Sequence, residues 1–489
     1  MSRTVLTFWC FVAVFVYNFL FSTSVYGQTI NNAGHDFWAI FPTHAQDVDR
    51  QGNPLPANFS IFITGAKASS GTVTTAGFSK RFSINPNSVT EIPIPRSGTY
   101  INESESGQVL SARGIHIQTD DGQPPVVVYA HIFAGHRSAA SLILPKEALG
   151  QSYLSINFKQ HDTEGKNFLV ITAVEPNTRI HLSRGNTELI NGGIYMANAG
   201  DVYEYLSTDD LTGVEVSVDK QTSACKHIAV FSGSSGIYIS PKSCSPGSLD
   251  PLYQQCFPVE SWGYHYGFIP FSTSSRNFTQ PVRTAGQYLR VLAKDANTKV
   301  KINNKVVATL ASGEYYTTPA PLTQASDVEA DHPVCVAQYA LSQTCSGGNG
   351  YSDPDMVILN PIEYQIKDIT VYSSSRENIS EQYLNVLISN TGAASFKING
   401  AAPQQPFQPL TNLSGYSYIQ LPLNQPAIRT FHLTANEEFN AIAYGFGDVE
   451  SYSYSAGTNL AGSQSLQAYT TGTELPIDSA CADDDFFLS

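Results

Sequence analysis

One three-part pattern of β-type sequence recurs four times along this chain of 489 residues, and the recurrence restricts the fold more than any single residue does. Its first part is an apolar run of nine residues: DFWAIFPTH from Asp36, YLSINFKQH from Tyr153, HYGFIPFST from His265 and DITVYSSSR from Asp368. Its second part is a pair of strands divided by a turn: NFSIFITG and GTVTT from Asn58, FLVITAVEPNTRIHL from Phe168, YLRVLAKDANTKVKI from Tyr288 and YLNVLISNTGAASFKI from Tyr383. The third is a run suited to full burial: PPVVVYAHIFAG from Pro124, CKHIAVFSGSSG from Cys225, HPVCVAQYALSQ from His332 and FNAIAYGFGDVE from Phe439. Self-similarity at a long period marks one architectural unit used in series.

Val, Ile, Thr, Tyr and Phe dominate these runs, and turn pairs such as Asn191-Gly192, Asn399-Gly400 and Pro176-Asn177 divide them. Helical periodicity is confined to one turn near Lys146–Gly150. The expected fold is all-β: four tandem antiparallel repeats of about 95–117 residues, at 34–148, 149–262, 263–364 and 365–462. Each is too long for a single propeller blade of about 40–50 residues and long enough for two sheets with their own core. The repeats form either a row of β-sandwiches or a ring with propeller-like closure, in which Asp36–His44 completes the sheet of the last repeat. The pattern leans to closure, which hides edge strands that invite aggregation.

Residues 1–27 read as a secretory signal peptide, with Arg3 as the sole charge, an apolar run Val5–Phe21 and small Gly27 before Gln28. No other stretch is long and apolar enough to span a bilayer, so no membrane insertion is expected after cleavage. The formal net charge is −14, without a basic stripe. This argues against nucleic acid and anionic membranes as partners. After Ala461 the pattern stops: 463–489 is a polar linker, and its end, CADDDFFLS, reads like the opening strand of a following module.

Removing Cys10 with the signal leaves six cysteines, an even number on a secreted chain. Cys225 and Cys335 fall at matching places in repeats two and three, and each is followed by another cysteine across a Gly/Ser-rich loop. The expected pairs are Cys225 with Cys244 and Cys335 with Cys345, each contributing about 3 kcal/mol. Cys256 and Cys481 either pair together, or stand as a free buried thiol and a cysteine with an outside partner.

Candidate chemistry is sparse. Gly233-Ser234-Ser235-Gly236 fails the G-x-S-x-G spacing of a nucleophile elbow, because position 237 is Ile. His131 and His136 fall on opposite faces of a strand, which suits a core or interface histidine rather than a metal pair. Asp353-Pro354-Asp355 and Asp162-Thr163-Glu164-Gly165 resemble fragments of calcium loops but lack the full ligand set, and read as ordinary turns. Sequons stand at Asn58, Asn102, Asn277, Asn378 and Asn412. No catalytic, cofactor-binding or metal-ligating residue is assigned.

Three stretches carry a resemblance: VVVYAHIFAGHRSAASLILPKEALGQSYLSINF from Val126, CKHIAVFSGSS from Cys225 and DPLYQQCFPVESWGYHY from Asp250. Over residues 34–462 the chain resembles the N-terminal domain of the IgGFc-binding protein family, found in secreted mucus-associated animal proteins and in bacterial surface proteins of the Bacteroidetes type. Its most specific part is Leu252-Tyr253-Gln254-Gln255 with Phe257-Pro258-Val259 and Trp262-Gly263, and ESYSYSAGT from Glu450 is similar to the end of the bacterial domain. Leu252, Tyr253, Gln254, Phe257, Pro258, Trp262 and Gly263 look structural: aromatic area and a proline form a joint between repeats two and three. Cys256 departs from the family, which carries a large apolar residue there, and this supports a buried thiol. The low cysteine count and the Gln28 start sit nearer the bacterial members.

The resemblance implies recognition rather than turnover: a secreted or cell-surface, non-catalytic adhesion module for an extracellular protein, glycoprotein, mucin or glycan. The alternatives are a structural spacer without a ligand of its own, and a hydrolase with an unrecognised site.

Overall fold

A computed structural model of the chain describes residues 31–49, 51–160, 165–223, 225–273, 283–346, 351–374, 376, 379–423 and 429–460. The signal peptide, Cys481 with the linker at 463–489, Asp162 to Glu164, Asn277 and Asn378 lie outside the described residues.

Period-two alternation builds the first blade as two facing sheets. Ile115–Thr119 is flanked by Asp36–Ala39 and Ser69–Thr75, which places Phe37, Ile117 and Val73 in one fully buried row. The other sheet centres on Asn58–Gly65, between Ser88–Ile94 and Val127–Ala134, and ends with Arg137–Ile143. Blade two repeats the order: Asn167–Ala173 lies between Val202–Ser207 and Ile228–Ile237, followed by Asp250–Gln255. In blades three and four the strands that switch sheets are continuous, Ser326–Ala340 and Thr430–Gly447. Pro333, which has no N–H to donate, sits between the two paired halves of the former, after Ala330 and before Val334.

The last strand of each blade is the innermost: Arg137–Ile143, Asp250–Gln255, Asp355–Ile358 and Glu450–Gly457. These axial strands neighbour one another in cyclic order, so the fold is an all-β, four-bladed, propeller-like ring. The blades are themselves two-layered, so the sandwiches stand in a ring rather than a row.

Closure uses a different segment from the one expected. Asp36–Ala39 remains in blade one, and the residues just before it reach blade four: Asn31 bridges Asn459, the Asn32 N–H donates to the Thr458 carbonyl at 3.2 Å, and the Thr458 N–H donates to Asn32 Oδ1 at 3.0 Å. Asn32 is fully buried. The apolar run of the repeat already has its partner, Ile115–Thr119, inside its own blade, which leaves only the flanking backbone free to seal the ring.

A glycine–proline contact recurs in the first three blades. Pro145, Pro258 and Pro361 each open a one-turn 3-10 helix at the end of a blade. A Cβ added at Gly34, Gly150 or Gly263 would lie 2.3, 2.5 or 2.2 Å from the Cβ of the respective proline. In blades two and three a tyrosine completes the joint. The Gly150 N–H donates to Tyr153 Oη at 2.8 Å and the Gly263 N–H to Tyr266 Oη at 3.0 Å, and these hydroxyls donate to the carbonyls of Ile228 and Val334. Blade one has Phe37 in place of that tyrosine, and the Gly34 N–H donates straight to the Val126 carbonyl at 3.0 Å.

Gly263→Val should therefore lower stability by about 1–3 kcal/mol, the usual penalty of overpacking. Urea denaturation measures it; an unchanged midpoint would show that the contact does not set the blade joint.

Candidate functional site

The motif stretch around Leu252 forms the axis and the joint beside it. Gln254 on the axial strand of blade two donates through Nε2 to the Ala140 carbonyl of blade one at 2.8 Å and to the Ser453 carbonyl of blade four at 3.1 Å. It thus reaches across the axis to the opposite blade. Tyr253 turns the other way and donates to the Ile40 carbonyl at 2.7 Å. Leu252 and Trp262 pack with Met356, Ile358 and Tyr339 of blade three, while Trp262 Nε1 donates to the Phe257 carbonyl at 3.3 Å. Pro258 and Gly263 are members of the recurring glycine–proline contacts.

At one mouth of the ring three of the four axial strands begin with an acid. Asp250, Asp353, Asp355 and Glu450 are between 0% and 1% exposed. The Ser138 N–H of blade one donates to Asp250 Oδ1 at 3.2 Å, and its hydroxyl donates to Glu450. Ser248 Oγ donates to Asp353, and the Met356 N–H donates to Asp355 Oδ1 at 2.7 Å. Burial pushes the Asp353 carboxyl up to about 8. Burial first, then the negative charges of Asp353 and Glu450, hold Asp250 well above the ordinary carboxylate value, and burial does the same to Asp355. Among the described residues no group of three or more His, Cys, Asp or Glu side chains is arranged to hold a metal ion. A small cavity of about 20 Å³, room for one water, lies elsewhere, beside Ile269, Leu359, Asn360 and Leu387.

At this mouth two longer connections lead into the axial strands. In blades one and four the turns into the axial strand are residues 135–136 and 448–449, whereas in blades two and three the described residues of the connection are 238–249, and 341–346 with 351–354. The long loops are joined by a disulfide between Cys244 and Cys345 with Cα atoms 5.7 Å apart. Thr344 Oγ1 donates to the Ser245 carbonyl at 3.1 Å, the Gly247 N–H to the Gln343 carbonyl at 3.1 Å, and the Ile239 N–H to Ser342 Oγ at 3.0 Å. Lys242, Ser243, Ser245, Gly247 and Thr344 are exposed along it.

This pairing corrects both expected disulfides. Cys225 and Cys244 stand at opposite ends of Ile228–Ile237, a strand about 30 Å long; Cys225 is disulfide-bonded, but not to Cys244. Cys335 is free and buried within Ser326–Ala340, opposite Leu292, and cannot meet the loop cysteine Cys345. Repeat equivalence was a poor guide because matching loop cysteines of neighbouring blades meet each other. Cys256 is the free buried thiol of the two readings, 3.3 Å from Ser232 Oγ, and burial pushes it up to about 11.

His131 is buried between blades one and four, with Nδ1 3.3 Å from Ser374 Oγ, while His136 is exposed beside Asp47. The Gly233–Gly236 stretch lies inside the buried strand Ile228–Ile237. Sequence reasoning missed the Asp353–Asp355 burial. The available signal was the acid that opens three axial strands, at Asp250, Asp355 and Glu450.

The described blades form a closed ring bonded across its axis, and a disulfide joins the connections of blades two and three. The family model described as "IgGFc binding protein" matches residues 139–445, and the chain belongs to that family, a non-enzymatic binding family. No curated protein matches the chain. One solved structure, described as "Ca2+-stabilized adhesin helps an Antarctic bacterium reach out and bind ice", is 10% identical over 87% of this chain and 98% of that chain, with a TM-score of 0.11. At that score the likeness carries no argument.

Replacing Cys244 and Cys345 by Ser should lower stability by up to about 4–5 kcal/mol, the chain-entropy value for a loop of this length. In the unaltered protein, Cys256 and Cys335 should resist alkylation until urea unfolds the ring; mass spectrometry of alkylated peptides checks both.

Proposed function

We propose that this protein is a secreted or cell-surface, non-catalytic binding and adhesion module that recognises a glycoprotein, mucin or glycan partner. The contact surface is the disulfide-joined pair of segments, 238–249 and 341–346. The observation that carries this reading is the cross-blade disulfide. It ties 238–249 to 341–346, where blades one and four have tight turns, and segments held together before contact lose less entropy when they bind. Family membership supports recognition as the activity. The hydroxyl- and amide-bearing composition of the loops suits hydrogen bonding to sugars or polar protein surfaces. A spacer role is the outcome if the loops contact nothing.

Immobilised mucin, with its deglycosylated form and an unglycosylated protein as controls, tests the proposal by surface plasmon resonance. Saturable binding to mucin should fall about tenfold or more in Lys242→Ala combined with Thr344→Ala, as for central contact residues, while the unfolding midpoint stays put. Equal binding to all three surfaces would defeat the reading.

A further inference from the structure

The axial carboxylates have a second consequence, independent of what the loops bind. Asp250 belongs to blade two and Asp353 to blade three, and both are fully buried where the two blades meet at the ring axis. Each has one oxygen supplied by a protein donor: the Ser138 N–H for Asp250 and Ser248 Oγ for Asp353. The other oxygens, Asp250 Oδ2 and Asp353 Oδ2, find no protein donor, yet the two carboxyl groups stand within hydrogen-bonding reach of each other. An ionised carboxylate only accepts, so two facing carboxyls can bond only when one of them carries a proton.

We propose that these carboxyls are a proton-dependent lock on the ring: a proton held between Asp250 and Asp353 joins blades two and three at the axis, and its loss to solvent base in alkaline medium loosens that mouth. The surrounding groups favour the proton. Glu450 faces the pair from blade four and Asp355 from blade three. Arg137 of blade one is the opposing cation, and it acts on Asp353. Tyr452, on the axial strand of blade four, lies within electrostatic range of Asp355. Asp448, on the turn of blade four, accepts from Gln343 Nε2 at 3.1 Å. One cation against four carboxylates does not permit the pair to ionise together in a site closed to water.

The direction of the pH effect follows. In the folded ring Asp353 keeps its proton up to about pH 8 and Asp250 is held well above the ordinary carboxylate value, whereas an unfolded aspartate loses its proton near about pH 4. Stability from this source is complete below the unfolded value, declines as pH rises between the two, and is spent above the folded one. Across that window each pH unit lowers the folding constant about tenfold per retained proton.

Urea unfolding of the whole protein across about pH 5 to 9 tests this directly. The logarithm of the folding constant should fall with pH, and Asp353→Asn should reduce that slope by about one proton. Should the variant not fold, infrared spectroscopy of the unaltered protein gives an independent reading. A carboxylic-acid C=O band should be present at neutral pH and weaken in alkaline medium, with the Asp353 share lost near about 8. A flat stability curve, or no acid band at neutral pH, would overturn the proposal. So would a rise in unfolding midpoint when calcium is added to EDTA-treated protein, because the carboxylates would then hold a cation in place of the proton.

Discussion

Four strands can share one axis only if the side chains they turn toward it are small or bond across it. Blade four shows how the sequence meets this condition. In Glu450–Gly457 the serines face the other axial elements: Ser451 Oγ donates to the Pro354 carbonyl at 3.2 Å, and Asn360 Nδ2 donates to Ser455 Oγ at 2.6 Å. Tyr452 and Tyr454 alternate with them and turn into the aromatic core, where Tyr454 lies 4.6 Å from Tyr129 of blade one. The Ser-Tyr-Ser-Tyr-Ser run is thus period-two strand geometry with two different interiors on its faces. Gln254, spanning from blade two to blade four, fills what would otherwise be a channel.

The joints between blades are chemically unlike one another. Blades two and three share a buried ion pair, Arg290 Nη1 to Asp210 Oδ2 at 2.8 Å, with Nη1 also donating to the Asn157 carbonyl at 2.7 Å and the guanidinium 4.2 Å from the Tyr315 ring centroid. Burial pushes the Asp210 carboxyl upward, but the Arg290 charge and the Thr212 hydrogen bonds carry it below the ordinary value. Blades one and two instead meet at Glu204, which accepts from the Thr43 N–H at 2.8 Å and Oγ1 at 2.7 Å and is raised to about 7 by burial. Blades four and one stack Tyr372 on Phe62 at 4.3 Å. A buried pair adds little net stability over apolar packing, but breaking one is costly. Joints that accept only their own partner discourage blades from docking in the wrong order.

The strand content and the repetition were legible because each depends on local alternation, which a linear sequence displays. The mode of closure was legible only in outline: Asp36–His44 has the composition of a closing strand, but nothing in that composition says that Ile117 satisfies it inside blade one. Pairing of the cysteines was hidden for a related reason. Cys244 and Cys345 lie in loops whose separation depends on the packing angle of two blades, a quantity no spacing rule contains. Asp353-Pro354-Asp355 looked like a solvated turn because acids flanking a proline usually are one. Only the convergence of four blades takes these side chains out of water.

That convergence also divides the ring into unequal halves. At the acidic mouth blades one and four have two-residue turns, whereas blades two and three have longer connections. The disulfide and the hydrogen bonds beside it join one loop to the other, so the residues around Cys244 and Cys345 lose conformational entropy on folding and not again on contact. Ser248 lies in one of these connections and donates to Asp353 of the other, so the segments that the disulfide joins are bonded to each other at the carboxyl pair as well.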